Sequence, residues 1–277
     1  MNTSLVNGII TCLFLSINLS AHFNPTKAQR RIFQSICAYQ GPRTALLSFP
    51  HSGNTWLRYC LEFLTNRPTL YRDTNHPRWN EFLISWPVAW QAMLEIDNNK
   101  PLIEKMHCIR ETMLRGKNET ICLNPDVDKL MFILRNPKET IARVEYSNFD
   151  TLLEATCRIY YPHHFYFENL ALFDSWPAER RHLVYYEDLI TKPRETLAAI
   201  LAFLQEPDTR LDQFMDEYEE HKNRSLSLYS GATSRGSDPL FHSKKLSTEY
   251  RKQVDTWIAD AYPELWEKYL QRYHESD

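Results

Sequence analysis

Glycine is scarce in this chain, with 6 residues against 15 prolines in a length of 277. Punctuation between elements therefore falls mainly to proline. No pair among Cys12, Cys37, Cys60, Cys108, Cys122 and Cys157 has CxxC spacing. That argues against a zinc site or a dense disulfide framework. Cys108 and Cys122 flank a polar segment, where a disulfide and two reduced, packed thiols are both open readings. Positive charge is not in excess either: the formal net charge is −3, so nothing marks a nucleic-acid binder. An anionic ligand must then be held by local basic groups. No internal repeat, low-complexity tract or linker interrupts the chain.

Long apolar runs are limited to one, "LVNGIITCLFLSINLSA" at residues 5–21. It is shorter than the roughly 20 residues that span a bilayer comfortably. No Lys or Arg precedes it, although Ser20 and Ala21 supply small residues at its end. The expectation is a signal peptide or signal anchor over residues 1–24, with a single domain over 25–277. That implies the secretory pathway, in the Golgi membrane or lumen, with the cytoplasm as the alternative. Sequons at Asn118 and Asn223 fit luminal residence. Membrane association through residues 5–21 follows from the same reading, and the oligomeric state is not legible.

What is present suits a globular enzyme-sized chain. Hydrophobic content of 43% and charged content of 24% are ordinary for a soluble domain with a real core. Lys27 to Ala38 reads as an amphipathic helix, and "TALLSF" at 44–49 as a buried strand. A helix follows over Thr55 to Leu64, with Leu57, Leu61 and Leu64 on one face. Residues 68–100 read as irregular and aromatic, around Trp79, Trp86 and Trp90. These rings fit an acceptor pocket wall or buried packing.

"KPLIEKMH" (100–107), "KLMFILRNP" (129–137) and "HLVYYEDL" (182–189) read as further strands. Pro137 and Pro193 each open a helix, the first helical position being one that proline favours. Residues 222–247 read as a polar loop, and helices broken at Pro263 close the chain. Strands alternating with helices imply an α/β fold: a doubly wound, mainly parallel sheet flanked by helices in a three-layer sandwich. Ligands bind such sheets at the carboxyl ends of the strands.

Three groups of residues carry candidate chemistry there. In "FPHSGNTW", a strand passes into a helix through His51, Ser52, Gly53, Asn54 and Thr55. A helix N-terminus offers unpaired N–H groups and partial positive charge, and Gly53 lets a ligand approach the backbone. This fits a phosphate-sized anion site or an ordinary helix cap. The Walker A pattern GxxxxGK[ST] is absent, which disfavours a nucleotide kinase or triphosphatase. Arg135 ends an apolar strand just before a helix, where its planar donors suit a phosphate or a carboxylate. In "EKMHC", Lys105 and His107 lie two residues apart and so on one side of a strand. Histidine is the side chain best placed to take a proton near neutral pH.

Together these motifs resemble the sulfotransferases that use 3′-phosphoadenosine 5′-phosphosulfate (PAPS). "PHSGNTW" is similar to the family's "PKSGTTW", "RNPKE" to "RNPKD", and "KMH" to "KTH". "YYEDLITKP" matches the family's "YED" before a proline-started helix. The four matches stand in the family's order over residues 44 to about 205. The resemblance implies a nucleotide-binding fold of the P-loop kind and sulfuryl transfer without metal. It implies that His51, Ser52, Gly53, Asn54 and Thr55 cradle the 5′-phosphosulfate, with Trp56 stacking on adenine. Arg135 would take the 3′-phosphate and Tyr186 would lie against the base. His107 would be the general base, with Lys105 and His51 neutralising developing charge. The acceptor implied is a small molecule or carbohydrate bearing a hydroxyl or amine.

Two departures stand out. His51 replaces the family's lysine, and Arg143 stands where the family usually has a serine, with Ser147 one turn on. The loose segment "SRGSDPLFHSKKLS" puts Arg235, Gly236, Lys244 and Lys245 where the family has a nucleotide-closing loop. A solvated basic loop is the other reading of it. For the whole chain the alternative is a degenerate member that binds nucleotide or carbohydrate without catalysis.

Overall fold

The computed structural model describes residues 26–37, 39, 41, 43–49, 51–71, 88, 94, 96, 100–106, 127–143, 166–226 and 243–274. Helix α1 (Lys27–Cys37) precedes β1 (Arg43–Ser48), α2 (Asn54–Thr65), β2 (Thr69–Tyr71) and β3 (Ile103–Met106). Next come β4 (Val127–Leu134), α3 (Pro137–Arg143), α4 (Tyr166–Ser175), β5 (Arg181–Tyr185) and α5 (Tyr186–Thr191). Helices α6 (Pro193–Leu204), α7 (Leu211–Asp216), α8 (Tyr218–Leu226) and α9 (Thr248–Ala261) follow. The chain closes with a helical stretch, Pro263–Leu265, Trp266–Leu270 and Gln271–Tyr273.

The five strands run β2-β3-β1-β4-β5, every neighbouring pair parallel. A parallel strand buried on both faces has no polar side to show, which is why β1 and β4 read as continuous apolar runs. Alternation along β4 divides its residues between the layers. Leu130, Phe132 and Leu134 pack with α4, α9 and the terminal helical stretch. Met131 and Ile133 pack with α2, α6 and α7 on the other face. The three-layer α/β sandwich is thus as expected.

Several boundaries differ from the sequence reading, each for a local reason. Residues 68–100 were expected to be irregular, yet Thr69–Tyr71 form the edge strand β2. Three residues show no periodicity; the strand is held by buried charges on α2 instead. Arg58 Nε donates to Thr69 Oγ1 at 2.6 Å, and Glu62 Oε1 accepts from the Thr69 and Val88 amides. The expected strand at 182–189 stops at Tyr185, and Tyr186 begins α5. Glu187 and Asp188 suit a helix's first turn. The polar segment from 222 begins as helix, α8 running to Leu226 with His221 and Ser225 buried. The break near Pro263 is present, with α9 ending at Ala261.

Residues 1–24, read as a signal or anchor, lie outside the described residues, as do Trp79, Trp86 and Trp90. Among the described residues, no helix is long and apolar enough to cross a membrane.

Candidate functional site

The chain order places the site. From central β1 it crosses to the β2 edge, returns through β3, and then crosses over to β4 on the far side of β1. The switch point of this open sheet therefore lies between the carboxyl ends of β1 and β4. Ser48 of β1 sits opposite Ile133 of β4, so the chains leaving both strands emerge side by side. One leads into His51–Thr55 and the other into Arg135.

The first turn is not an ordinary helix cap. The residue capping α2 is Gly53, in the left-handed region at φ 86°, with no side chain to bond the helix amides. Good N-caps use a side-chain oxygen from an extended residue for that purpose. Ser52, next to it, is 0% exposed and its Oγ has no hydrogen-bond partner. A buried hydroxyl left in this way costs about 1–3 kcal/mol. The Thr55 hydroxyl lies 3.4 Å from Asn54 Oδ1 and caps nothing. The amides of Asn54, Thr55 and Trp56 precede the first intrahelical bond, which runs from Leu57 to the Gly53 carbonyl. Hydroxyls and amides are gathered here without satisfying one another, the state expected of an anion cradle. His51 is exposed and also left-handed, at φ 67°. That is an uncommon backbone for a non-glycine residue, and such strain clusters at functional turns.

Arg135 joins this cradle directly. Its Nη1 donates to the His51 carbonyl at 2.9 Å, and its Nη2 donates to Glu139 Oε1 at 3.0 Å. The guanidinium lies over the Tyr186 ring, 4.1 Å from its centroid. Tyr186 in turn packs against Gly53, where a Cβ would fall 2.2 Å from two of its ring carbons. Cradle, arginine and tyrosine, from three separate elements, are thus one contiguous assembly. Trp56 is 1% exposed, its ring stacked on Tyr59 at 5.6 Å and edge-on to Tyr218 at 5.7 Å. An adenine reaching that ring must displace a neighbouring side chain.

Gly53→Ala tests the assembly. The left-handed backbone alone costs about 1–2 kcal/mol with a Cβ, and Tyr186 must also move. The expected result is a lower urea midpoint together with lost nucleotide binding. Unchanged values of both would show that the close packing does not matter.

Lys105 is the penultimate residue of β3, buried, and level with Leu46 of β1. Met106, the last residue of β3, pairs with Leu47 of the strand that leads into the cradle. His107 itself, Ser147, Arg235 and Gly236 lie outside the described residues. Arg143 is the last residue of α3, and its side chain is likewise outside them. Lys244 and Lys245 are exposed on a 3-10 turn, Ser243–Lys245. Among the described residues there is no group of three or more His, Cys, Asp or Glu fit to hold a metal.

The remaining residues of "RNPKE" turned out to be builders of the site. Asn136 Oδ1 accepts from the Lys138 amide and so caps α3, which Pro137 opens. Lys138, 1% exposed, bonds Asp255 Oδ1 and the Tyr273 carbonyl, both at 2.5 Å. Glu187 of the "YED" motif accepts from the Asn136 amide at 2.9 Å and from the Tyr273 hydroxyl at 2.6 Å. Burial pushes the Glu187 carboxyl above its ordinary range, against the pull of those two donors and of Arg135. Burial and the adjacent Glu187 charge hold the Tyr273 phenol well above its usual value. Sequence reasoning gave Lys138, Glu139, Glu187 and Tyr273 no role, although the first three lie within the segments "RNPKE" and "YYEDLITKP" that it singled out.

A known structure shares this architecture. Mouse sulfotransferase SULT7A1 complexed with PAP aligns at a TM-score of 0.58 and 14% identity, over 88% of this chain and 93% of that one. The sulfotransferase domain from the Synechococcus PCC 7002 olefin synthase aligns at 0.40 and 22% identity, over 74% and 84% of the two chains. No curated protein matches in sequence. The model of the sulfotransferase domain matches residues 42–275, and the chain belongs to that family.

Proposed function

We propose that the protein transfers a sulfuryl group from PAPS to a hydroxyl or amine of a small-molecule or carbohydrate acceptor. The cradle at His51–Thr55 holds the 5′-phosphosulfate, Arg135 the 3′-phosphate, and Tyr186 lies by the base. His107 takes the acceptor proton as the acceptor oxygen or nitrogen bonds to sulfur. The sulfur–oxygen bond to the nucleotide breaks in line, and 3′-phosphoadenosine 5′-phosphate leaves with that electron pair. Lys105 and His51 offset charge on the sulfuryl and leaving oxygens, and positioning supplies most of the acceleration. The supporting observation is the bond from Arg135 to the His51 carbonyl, which joins the arginine to the His51–Thr55 turn. Residues 1–24 would direct the protein to the secretory pathway, in the Golgi membrane or lumen; cell fractionation separates this from the cytoplasmic alternative.

A second reading is a degenerate member that binds nucleotide or carbohydrate and does not catalyse. It is favoured by His51, which supplies a permanent charge less well than the lysine of similar sequences. Saturating 3′-phosphoadenosine 5′-phosphate is expected to raise the thermal midpoint by roughly 5–10 °C at a hundredfold excess over its dissociation constant. No shift would remove the first reading and the nucleotide-binding form of the second. A shift without transfer of labelled sulfate to any acceptor in a broad panel would select the second.

A further inference from the structure

Glu139 is completely buried, and each of its carboxylate oxygens has a different task. Oε1 accepts from Nη2 of Arg135 at 3.0 Å. Oε2 accepts from the backbone amide of Ser243 at 2.7 Å. Ser243 is itself buried and opens the turn that carries Lys244 and Lys245, 104 residues away in the chain. The next residue, Leu246, is buried as well and returns its amide to the Ser243 carbonyl at 3.0 Å. A buried carboxylate is stable only when charge and hydrogen bonds meet it, and here each side supplies part of that. Losing either partner weakens the hold on the other.

From this geometry we infer that Glu139 is a positioning residue that aims Arg135 at the 3′-phosphate and latches the basic turn Ser243–Lys245 to the same site. The inference rests on the nucleotide reading of the cradle. The guanidinium has one face on Tyr186 and one donor on the His51 carbonyl; the Glu139 bond fixes its rotation about that contact. Anion binding at Arg135 and seating of the turn are then linked, and linkage is reciprocal: whatever the seated turn adds to nucleotide affinity, nucleotide adds to seating. A carboxylate serving only as packing glue carries no such linkage.

The test compares 3′-phosphoadenosine 5′-phosphate with adenosine 5′-phosphate, which lacks the 3′-phosphate, on the full chain. In the parent, the first nucleotide is expected to slow amide exchange at residues 243–247 and to bind at least about tenfold tighter than the second. Glu139→Gln is expected to cut that preference about tenfold and to abolish the nucleotide-induced slowing. Equal loss of affinity for both nucleotides would mark a structural role and overturn the inference, as would slowing that persists in the variant. Should Glu139→Gln fail to fold, Ser243→Pro removes the amide donor from the turn, together with the serine hydroxyl. It is expected to lose the slowing and to lower the preference by the same factor, and retained slowing would contradict the linkage. A parent that binds neither nucleotide would instead refute the nucleotide reading on which the inference stands.

Discussion

His107→Ala is expected to lower sulfuryl transfer by about 10²–10⁴-fold while leaving nucleotide affinity unchanged. The argument is positional. β3 ends at Met106, which pairs with Leu47 of the neighbouring β1, and His107 is the next residue in sequence. The cradle follows the carboxyl end of β1. Arg135, the proposed 3′-phosphate ligand, follows the opposite neighbour, β4. Under the proposed function His107 therefore serves the acceptor and not the nucleotide. Initial rates of labelled-sulfate transfer, with nucleotide titrations of both proteins, check the expectation. Equal rates in variant and parent would displace His107, and a matching loss of nucleotide affinity would recast it as a binding residue.

Asp255→Ala is expected to destabilise the fold by about 3–5 kcal/mol, because it removes the carboxylate bonded to the buried Lys138 ammonium. The pair is buried on both sides, with side chains 1% and 3% exposed. It joins α3, directly after the Arg135 turn, to α9 and through the Tyr273 carbonyl to the end of the chain. Exposed pairs behave otherwise: solvent screens Arg194–Asp212, which is largely solvated. Replacing both partners, as Lys138→Met with Asp255→Leu, is expected to recover most of the loss, since no buried charge is then left alone. Urea unfolding of the three proteins, parent included, measures this. A single variant costing less than about 1 kcal/mol would mean that Lys138 reaches water when its partner is removed.

The legible parts of this molecule were those written in neighbouring residues. Small polar residues between an apolar run and an amphipathic one marked the cradle, and Gly53 has the left-handed backbone its position demands. Arg135 after β4 was legible because strand and helix flank it directly. Prolines 137 and 193 open helices as their restricted φ favours. Whatever depends on distant partners was hidden. Glu139 gains its role from Ser243, and Glu187 from Tyr273, each separated by far more chain than a local pattern spans. Helix α4 escaped because the apolar Ala171 and Leu172, exposed and half-buried, fall outside the buried set Tyr166, Phe167, Leu170 and Phe173, which blurs the one-sided stripe. Helix α8 escaped for the opposite reason: "YEEHKNRSL" is so polar that only His221 and Ser225 face inward.

Buried His221 shows how composition misleads. Its Nδ1 lies 2.9 Å from the Tyr59 hydroxyl, and its ring stacks on Phe214 at 4.7 Å. Burial pulls its imidazole below the usual value, while burial pushes the Tyr59 phenol up to about 12. Both therefore stay neutral at physiological pH and brace α8 and α7 against α2. That bracing keeps Trp56 in place at the start of α2, on the inner side of the cradle.

The central claim is that one end of a bisphosphorylated nucleotide sits in the cradle and the other on Arg135. Calorimetric titration of the parent and Arg135→Gln with 3′-phosphoadenosine 5′-phosphate and with adenosine 5′-phosphate tests it most directly. The account predicts a loss on the order of a hundredfold for the first nucleotide and a change within about threefold for the second. Equal weakening of both, or none of either, would contradict it.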